Sequence, residues 1–235
     1  MSKQAKNQRS DPTRFRIGYI ASHIYRLTFE INEVVELLRQ HPDTRVYSFY
    51  RQRGAEGIQR ERIKEIGADI VAPTIGTVFR AFFGFLVGAP VALARGAALL
   101  MWNSKSNPVY WFKNLAVFFA ALPMLGDARR HRVTHLHADF GSSPATIAWL
   151  GKKMLGTTMS IRYHSFDIHL NTIGWKDPLR RRKLRDADLV VAVHYDGLKY
   201  LRGWAPDVEG EKFTVIRVSV VFEPEPRRES PSGVP

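Results

Sequence analysis

The chain has 235 residues and no cysteine, and its 35 Lys and Arg against 22 Asp and Glu give a formal net charge of +13. Without cysteine, disulfide scaffolds, thiolate zinc sites, iron–sulfur clusters and cysteine nucleophiles are excluded. Hydrophobic residues make up 45% of the chain, enough to build a core, and the positive charge favours an anionic partner such as nucleic acid, an acidic bilayer or a phosphorylated substrate.

Residues 1–14 are polar and basic, which predicts a flexible arm and not a signal peptide. From residue 15 onward, strand and helix patterns alternate. The predicted strands are 15–20, 46–50 and 69–72, and the helices between them are 28–40, with Thr28 as its N-cap, and a short charged helix at 56–67. Such alternation is typical of an α/β, Rossmann-like parallel sheet with helices on both faces.

An inserted apolar helical block at about 75–130 interrupts this alternation. We predict two helical segments in it, 75–102 and 108–130, both rich in aromatic residues. Its uncharged run from Ala81 to Ala94 is shorter than the roughly 20 apolar residues that a spanning helix needs, although it is long enough to lie in a membrane interface.

The alternation resumes after the block. The predicted strands are 133–138, 158–164, 189–193 and 213–218, and the predicted helices are 142–155, 177–186 and 194–203. The Pro- and charge-rich residues 223–235 are predicted to form a linker or tail.

Polar side chains cluster at the end of the predicted 133–138 strand. His135, His137 and Asp139 have the i, i+2, i+4 spacing of one strand face, and Gly141 to Pro144 opens a helix whose free N–H groups favour an anion. This pattern allows a ligand or phosphate pocket that includes Ser142, or a metal site built on His-x-His. A third interpretation makes His135 a core histidine and leaves His137 or Asp139 facing solvent.

Two other segments are expected near the same edge of the sheet. Residues 163–169 follow the next strand and carry His164, Asp167 and His169. The loop 22–28 follows the first strand, and a plain connector is an equally good interpretation of it. The sequence contains no dinucleotide-binding glycine motif, no Walker loop and no hydrolase nucleophile elbow.

The order of these motifs resembles the N-terminal domain of family-4-type glycosyltransferases with the GT-B fold, of the bacterial exopolysaccharide or lipid-linked sugar type. Four stretches carry the likeness. Tyr25 to Glu33 resembles the Tyr-Pro-x-x-Ser-Glu-Thr-Phe-Ile-x-Asn-Glu opening, His135 to Phe140 the His-x-His-Ala-x-Phe strand end, Ser160 to Ile168 the Thr-x-His-x-x-Asp-Ile segment, and Leu184 to Val193 the Ala-Asp-x-Val-x-x-Val-Ser strand.

The resemblance implies sugar transfer from a nucleotide-sugar to a polysaccharide or lipid-linked acceptor, with retention of configuration. It implies that residues 15–222 form the acceptor-side domain and that His164 lies at the reaction centre. The residues expected to contact the acceptor are Asp139, His137, Ser142, Asp167, Tyr25, Arg26 and Thr28. We expect no metal and no cofactor bound by this chain; the nucleotide-sugar would belong to the complete enzyme.

The sequence departs from the family pattern in three ways. The opening motif lacks its proline and is shifted, the Asn-Gly of the family's Val-Ile-x-Asn-Gly-Val segment is replaced by Val218 and Ser219, and the chain ends where a donor-binding domain would begin. We therefore expect a chain that lacks its C-terminal donor-binding half and is inactive alone, with a separate donor-binding subunit as one way to complete it.

The distribution of basic and aromatic residues indicates a membrane and not a nucleic acid. The run 176–185 holds six basic residues, and we expect membrane contacts at Phe82, Phe83, Trp102, Trp111, Arg181 and Arg182. The expected partner is the anionic inner face of the plasma membrane, on its cytoplasmic side.

Two other functions stay open at the level of sequence. One is a metal-dependent hydrolase that uses His135, His137, Asp139, His164 and His194. The other is a non-enzymatic module that binds anionic membranes. The basic run can also be a solvated face, and the apolar helices can simply cap the core.

Overall fold

The structure, a computed structural model, describes residues 15–22, 28–50, 70–105, 107–172 and 177–217. Within these ranges, seven parallel strands form one sheet in the order β3-β2-β1-β4-β5-β6-β7. They are β1 Ile17–Ala21, β2 Arg45–Ser48, β3 Ile70–Val71, β4 His135–Ala138, β5 Thr158–Tyr163, β6 Leu189–Ala192 and β7 Phe213–Val215. The chain proceeds outward from β1 to β3 and then returns to the centre at β4, so the strand order reverses between β1 and β4.

Helices cover both faces of the sheet. They are α1 Thr28–Gln40, α2 Ile75–Gly88, α3 Pro90–Ser104, α4 Pro108–Arg130, α5 Ser143–Leu155, α6 Ser165–Thr172, α7 Arg180–Asp186 and α8 Tyr195–Trp204. On one face, α1 buries Val34 against Tyr19, Ala21 and Val46. On the other face, α4 and α5 cover a larger core that includes Leu125, Leu136, Ile147 and Trp149. This arrangement confirms the predicted α/β, Rossmann-like fold with an apolar helical block.

The first predicted segment of the block is wrong in one respect, because residues 75–102 form two helices and not one. Thr74 caps α2 by accepting a hydrogen bond from the backbone N–H of Thr77. The helix ends before Ala89, whose φ of −160° is not helical, and Pro90 begins α3. Proline is tolerated in the first turn of a helix but not in its interior, so the axes of α2 and α3 meet at a bend of 116°.

Helix α4 is tied to the sheet by a buried carboxylate. Asp127 accepts hydrogen bonds from Arg45 Nε at 2.9 Å and from the Tyr47 hydroxyl at 3.2 Å. By length and composition, α4 is the one helix among the described residues that could cross a membrane, and the bent pair α2–α3 passes the same test as a broken span. Half of the apolar stretch of α4 is buried inside the protein, and its residues from Ala121 to Leu125 lie in the core. Packing in the core therefore accounts for the apolar character of this part of α4 without a membrane.

Residues 165–172, to which we assigned no element, form α6. Asp167 Oδ2 lies 3.3 Å from the backbone nitrogen of His164, so the side chain stabilises the start of the helix. The predicted arm 1–14, the helix 56–67, the tail 223–235 and most of the loop 22–28 lie outside the described residues.

Candidate functional site

The candidate site lies where the carboxyl ends of β4 and β5 meet, next to the point where the strand order reverses. The two strands pair in parallel, with Ala138 opposite Ile161. Asp139 therefore follows β4 beside the position where His164 follows β5. Ligands of open parallel sheets bind at such a crevice, because the loops on both sides diverge from it.

Asp139 and His164 contact each other directly. Asp139 Oδ1 lies 3.2 Å from His164 Nε2, and Asp139 is completely buried. The ring of Phe140 stacks on the imidazole of His164 with their centroids 4.5 Å apart. The carboxylate and the aromatic ring together fix the orientation of the imidazole. When the neutral imidazole donates from Nε2 to Asp139, Nδ1 is its acceptor nitrogen.

Three ionisable residues that we did not predict as site residues lie near Asp139: Arg162, Glu33 and Glu30. Arg162 Nε lies 3.3 Å from Asp139 Oδ1, and the same guanidinium forms an ion pair with Glu33 of α1. The Tyr19 hydroxyl donates to Glu33 at 3.0 Å. Arg162 could have been found as the only charged member of its strand. Glu30 and Glu33 could have been found by their i, i+3 spacing on a helix that begins at the same sheet edge.

Glu30 forms an acidic pair with Asp139. Glu30 is fully buried, and among the described residues neither of its oxygens nor Asp139 Oδ2 meets a hydrogen-bond donor. Burial, and next the negative charge of Asp139, raise the pKa of Glu30 to about 9. Glu30 therefore holds its proton at neutral pH.

His137 and His135 point to the α1 side of the sheet and share one partner. Ser160 Oγ lies 2.7 Å from His137 Nδ1 and 2.8 Å from His135 Nε2, and Thr158 Oγ1 lies 2.9 Å from His135 Nδ1. Burial lowers the pKa of His135 to about 4, and burial also lowers the pKa of His137. Both imidazoles are thus neutral members of a hydrogen-bonded network.

The next two predicted residues lie at the rim. Ser142 is exposed just before α5, whereas Asp167 is buried and accepts hydrogen bonds from the backbone N–H groups of Gly141 and His164. Burial raises the pKa of Asp167 to about 6, although those two hydrogen bonds oppose the shift. Asp167 therefore joins the loop after β4 to the loop after β5.

A buried lysine supports the same rim. Lys183 of α7 is fully buried, and its Nζ donates to the carbonyl oxygens of Gly141 at 2.5 Å and Ser142 at 3.2 Å. Its counter-ion is Asp177 at 2.6 Å. The ammonium group of Lys183 thus stabilises the conformation of the loop that follows β4.

The structure brings together some of the predicted residues and not others. Asp139, His164 and Asp167 lie within one cluster, whereas Tyr25 and Arg26 lie outside the described residues and only the backbone of Thr28 is described, as the start of α1. His194 lies apart from Asp139 in the contacts described: it caps α8 by accepting from Gly197 N–H, and its Nε2 lies 2.9 Å from Ser165 Oγ. Side-chain groups of three or more His, Asp or Glu that could hold a metal ion are not found in the described ranges.

The predicted membrane-contact residues also differ in exposure. Phe83, Trp102, Arg181 and Arg182 are exposed, whereas Phe82 and Trp111 are half-buried. Arg181 pairs with Asp207 at 2.8 Å, so part of its charge is balanced locally.

Comparison with solved structures gives a likeness in fold. No family model matches the sequence, and no match was found among curated proteins. The fold is similar to that of Acinetobacter baumannii MurG, with a TM-score of 0.46 and 12% sequence identity over 91% of this chain and 48% of that one. The chain thus spans about half the length of that protein. An identity this low says nothing about the reaction or the substrate.

Proposed function

We propose that this chain is the acceptor-side domain of a glycosyltransferase that moves a sugar from a nucleotide-sugar to a polysaccharide or lipid-linked acceptor. The observation that carries the proposal is the contact between His164 and Asp139 at adjoining strand ends, 3.2 Å apart. These two residues belong to separate stretches of the sequence that resemble the family-4 motifs. Their contact at one crevice is what a shared site requires.

In such a transfer, the acceptor hydroxyl oxygen forms a bond to the anomeric carbon of the donor sugar, and the bond from that carbon to the donor phosphate oxygen breaks. The hydroxyl proton leaves with the phosphate. We assign to His164 the contact with the reacting groups, because its imidazole can form a hydrogen bond with a sugar hydroxyl, which is a donor as well as an acceptor. Asp139 and Phe140 are positioning residues that hold the ring in place.

The charged residues behind Asp139 support this assignment. Arg162 lies between Asp139 and Glu33 and neutralises part of the acidic cluster. Glu33, whose side chain is 33% exposed, can accept hydrogen bonds from sugar hydroxyls, which are donors as well as acceptors. A crevice that combines an imidazole with carboxylates therefore suits a carbohydrate acceptor better than an apolar ligand.

The test is acceptor binding by the purified full chain, measured by saturation-transfer NMR with a panel of lipid-linked saccharides in detergent and of polysaccharide fragments. We expect His164→Ala to weaken binding by roughly tenfold, the effect of losing one hydrogen bond of about 1.4 kcal/mol. His41→Ala, an exposed histidine at the far end of α1, is the matched control and should bind like the wild type.

Two results would overturn the proposal. One is that no saccharide in the panel binds, or that the His164 and His41 variants bind equally well. The other is turnover of labelled nucleotide-sugars by the chain without any partner, which would contradict the assignment to the acceptor side alone.

A further inference from the structure

Helix α2 carries an exposed apolar stripe along its length. On α2, Ile75, Phe79, Phe83 and Val87 follow each other at intervals of four residues and are all exposed, from 57% for Phe83 to 85% for Val87. A four-residue interval keeps side chains on one side of a helix. The stripe is about 18 Å long, given a rise of about 1.5 Å per residue.

The stripe on α2 continues onto α4 through neighbouring aromatic rings in edge-to-face and tilted arrangements. The half-buried Phe82 lies 5.6 Å from Phe83 and 6.3 Å from Phe119, measured between ring centroids. Phe119 and Phe112 of α4 are exposed in turn. The face formed by α2 and the outer side of α4, which we call the apolar face, therefore exceeds the isolated exposed side chains that any protein surface carries.

The charged residues that the helical block itself carries before Asp127 are all positive. Between residues 70 and 126 the sequence contains no Asp or Glu, and its charged residues are Arg80, Arg95, Lys105 and Lys113. All four side chains are exposed. The ammonium of Lys105 lies 3.4 Å above the ring of Trp102, which is 68% exposed. Tryptophan beside a long cationic side chain is typical of the boundary between headgroups and acyl chains.

We propose that the apolar face docks on an anionic lipid bilayer, with α2 lying in the plane of the interface. Apolar side chains along one helix face would enter the acyl region, while the arginine and lysine side chains reach back to the lipid phosphates. A second copy of the chain fits this face less well, since a two-fold dimer would set the same four cations against each other without an acidic residue. The proposal stands independently of the sugar-transfer proposal.

The test is co-flotation of the full chain with vesicles of phosphatidylcholine alone or mixed with phosphatidylglycerol. We expect binding to the mixed vesicles that weakens as salt is raised. The triple variant Phe79→Gln, Phe83→Gln, Val87→Gln should lose at least about tenfold in partition coefficient, because three apolar side chains no longer leave water. Since these residues are exposed and glutamine suits a helix, the variant should keep the wild-type circular dichroism spectrum.

The matched control is Tyr195→Gln with Tyr200→Gln, two exposed aromatic residues of α8, and it should float like the wild type. Brominated acyl chains should also quench Trp102, and Trp102→Phe should remove that quenching. The proposal is overturned if the chain binds neither vesicle, or if the triple variant binds as well as the wild type. A concentration-dependent dimer that the triple variant abolishes would assign the apolar face to a second copy instead.

Discussion

At the scale of single residues, the protonation of Glu30 decides the electrostatics of the site. If Glu30 were ionised, it would add a second buried negative charge directly beside Asp139. As a neutral acid, Glu30 adds no charge, and the guanidinium of Arg162 lies close enough to balance the charge of Asp139. Asp139 can therefore stay an acceptor for His164 while it is completely buried.

Replacing Glu30 by Gln should make folding stability less dependent on pH. The pKa of Glu30 is raised from 4.5 to about 9 by burial and Asp139, so its contribution to stability is complete below about pH 4.5 and is lost as the pH rises to about 9. Within that window the wild type should lose up to about 1.4 kcal/mol per pH unit relative to Glu30→Gln. Urea unfolding of both proteins at several pH values measures the difference.

The control for this experiment is Glu36→Gln, an exposed acid on the same helix that pairs with Arg39. Its stability difference from the wild type should stay constant between pH 5 and 9. A constant difference for Glu30→Gln as well would mean that Glu30 is ionised in the folded protein.

At the scale of elements, close approach between helices and strands fixes how the helical layer sits on the sheet. Gly151 on α5 faces Leu136 of β4 and Leu125 of α4, and a Cβ atom at this position would collide with the Leu136 side chain. A larger residue would force α5 away from both neighbours. The absence of a side chain here thus sets the spacing of the layer.

We expect Gly151→Ala to destabilise the protein by about 1–3 kcal/mol, the usual effect of overpacking a core. Gly203→Ala on α8 is the matched control, because nothing lies within 4 Å of its added Cβ. That change should leave stability equal or raise it by a few tenths of a kcal/mol, since alanine favours a helix. Thermal unfolding of the two variants measures these changes in stability. Equal destabilisation of both variants would contradict the predicted collision with Leu136.

Local patterns in the sequence predicted the elements better than the site. The apolar run at Leu189 to Ala192 and the alternation around Thr158 depend on near neighbours, so the strands could be placed from them. We predicted one helical segment over 75–102 because its composition is apolar throughout. Pro90 lies inside that segment and marks the break between α2 and α3. The ion pair of Arg162 with Glu33 joins distant parts of the chain, and no local pattern specifies that pairing.

At the scale of the whole molecule, the two faces of the sheet are unequal. The α4–α5 side holds a continuous core from Phe85 to Phe213, whereas the cluster under α1 consists of Tyr19, Ala21, Val34 and Val46 with partly buried neighbours. Farther along the sheet, the α1 side carries the hydrogen-bonded His135, His137 and Ser160. Regions with fewer buried apolar contacts open at lower free energy.

Hydrogen exchange should therefore be faster in α1 than in α5. Mass spectrometry of the native chain should show the amides of residues 28–40 exchanging well before those of residues 143–155. Equal protection of the two helices would contradict this order and would mean that the two faces open together.

The buried Lys183 has a consequence for the direction of the peptide groups at the rim. In a trans peptide the N–H points opposite to the preceding C=O. Because the ammonium attracts the carbonyl oxygens of Gly141 and Ser142, the amide hydrogens of Ser142 and Ser143 are turned away from Lys183. The buried charge of Lys183 thus fixes the orientation of the two successive peptide groups that lead into α5.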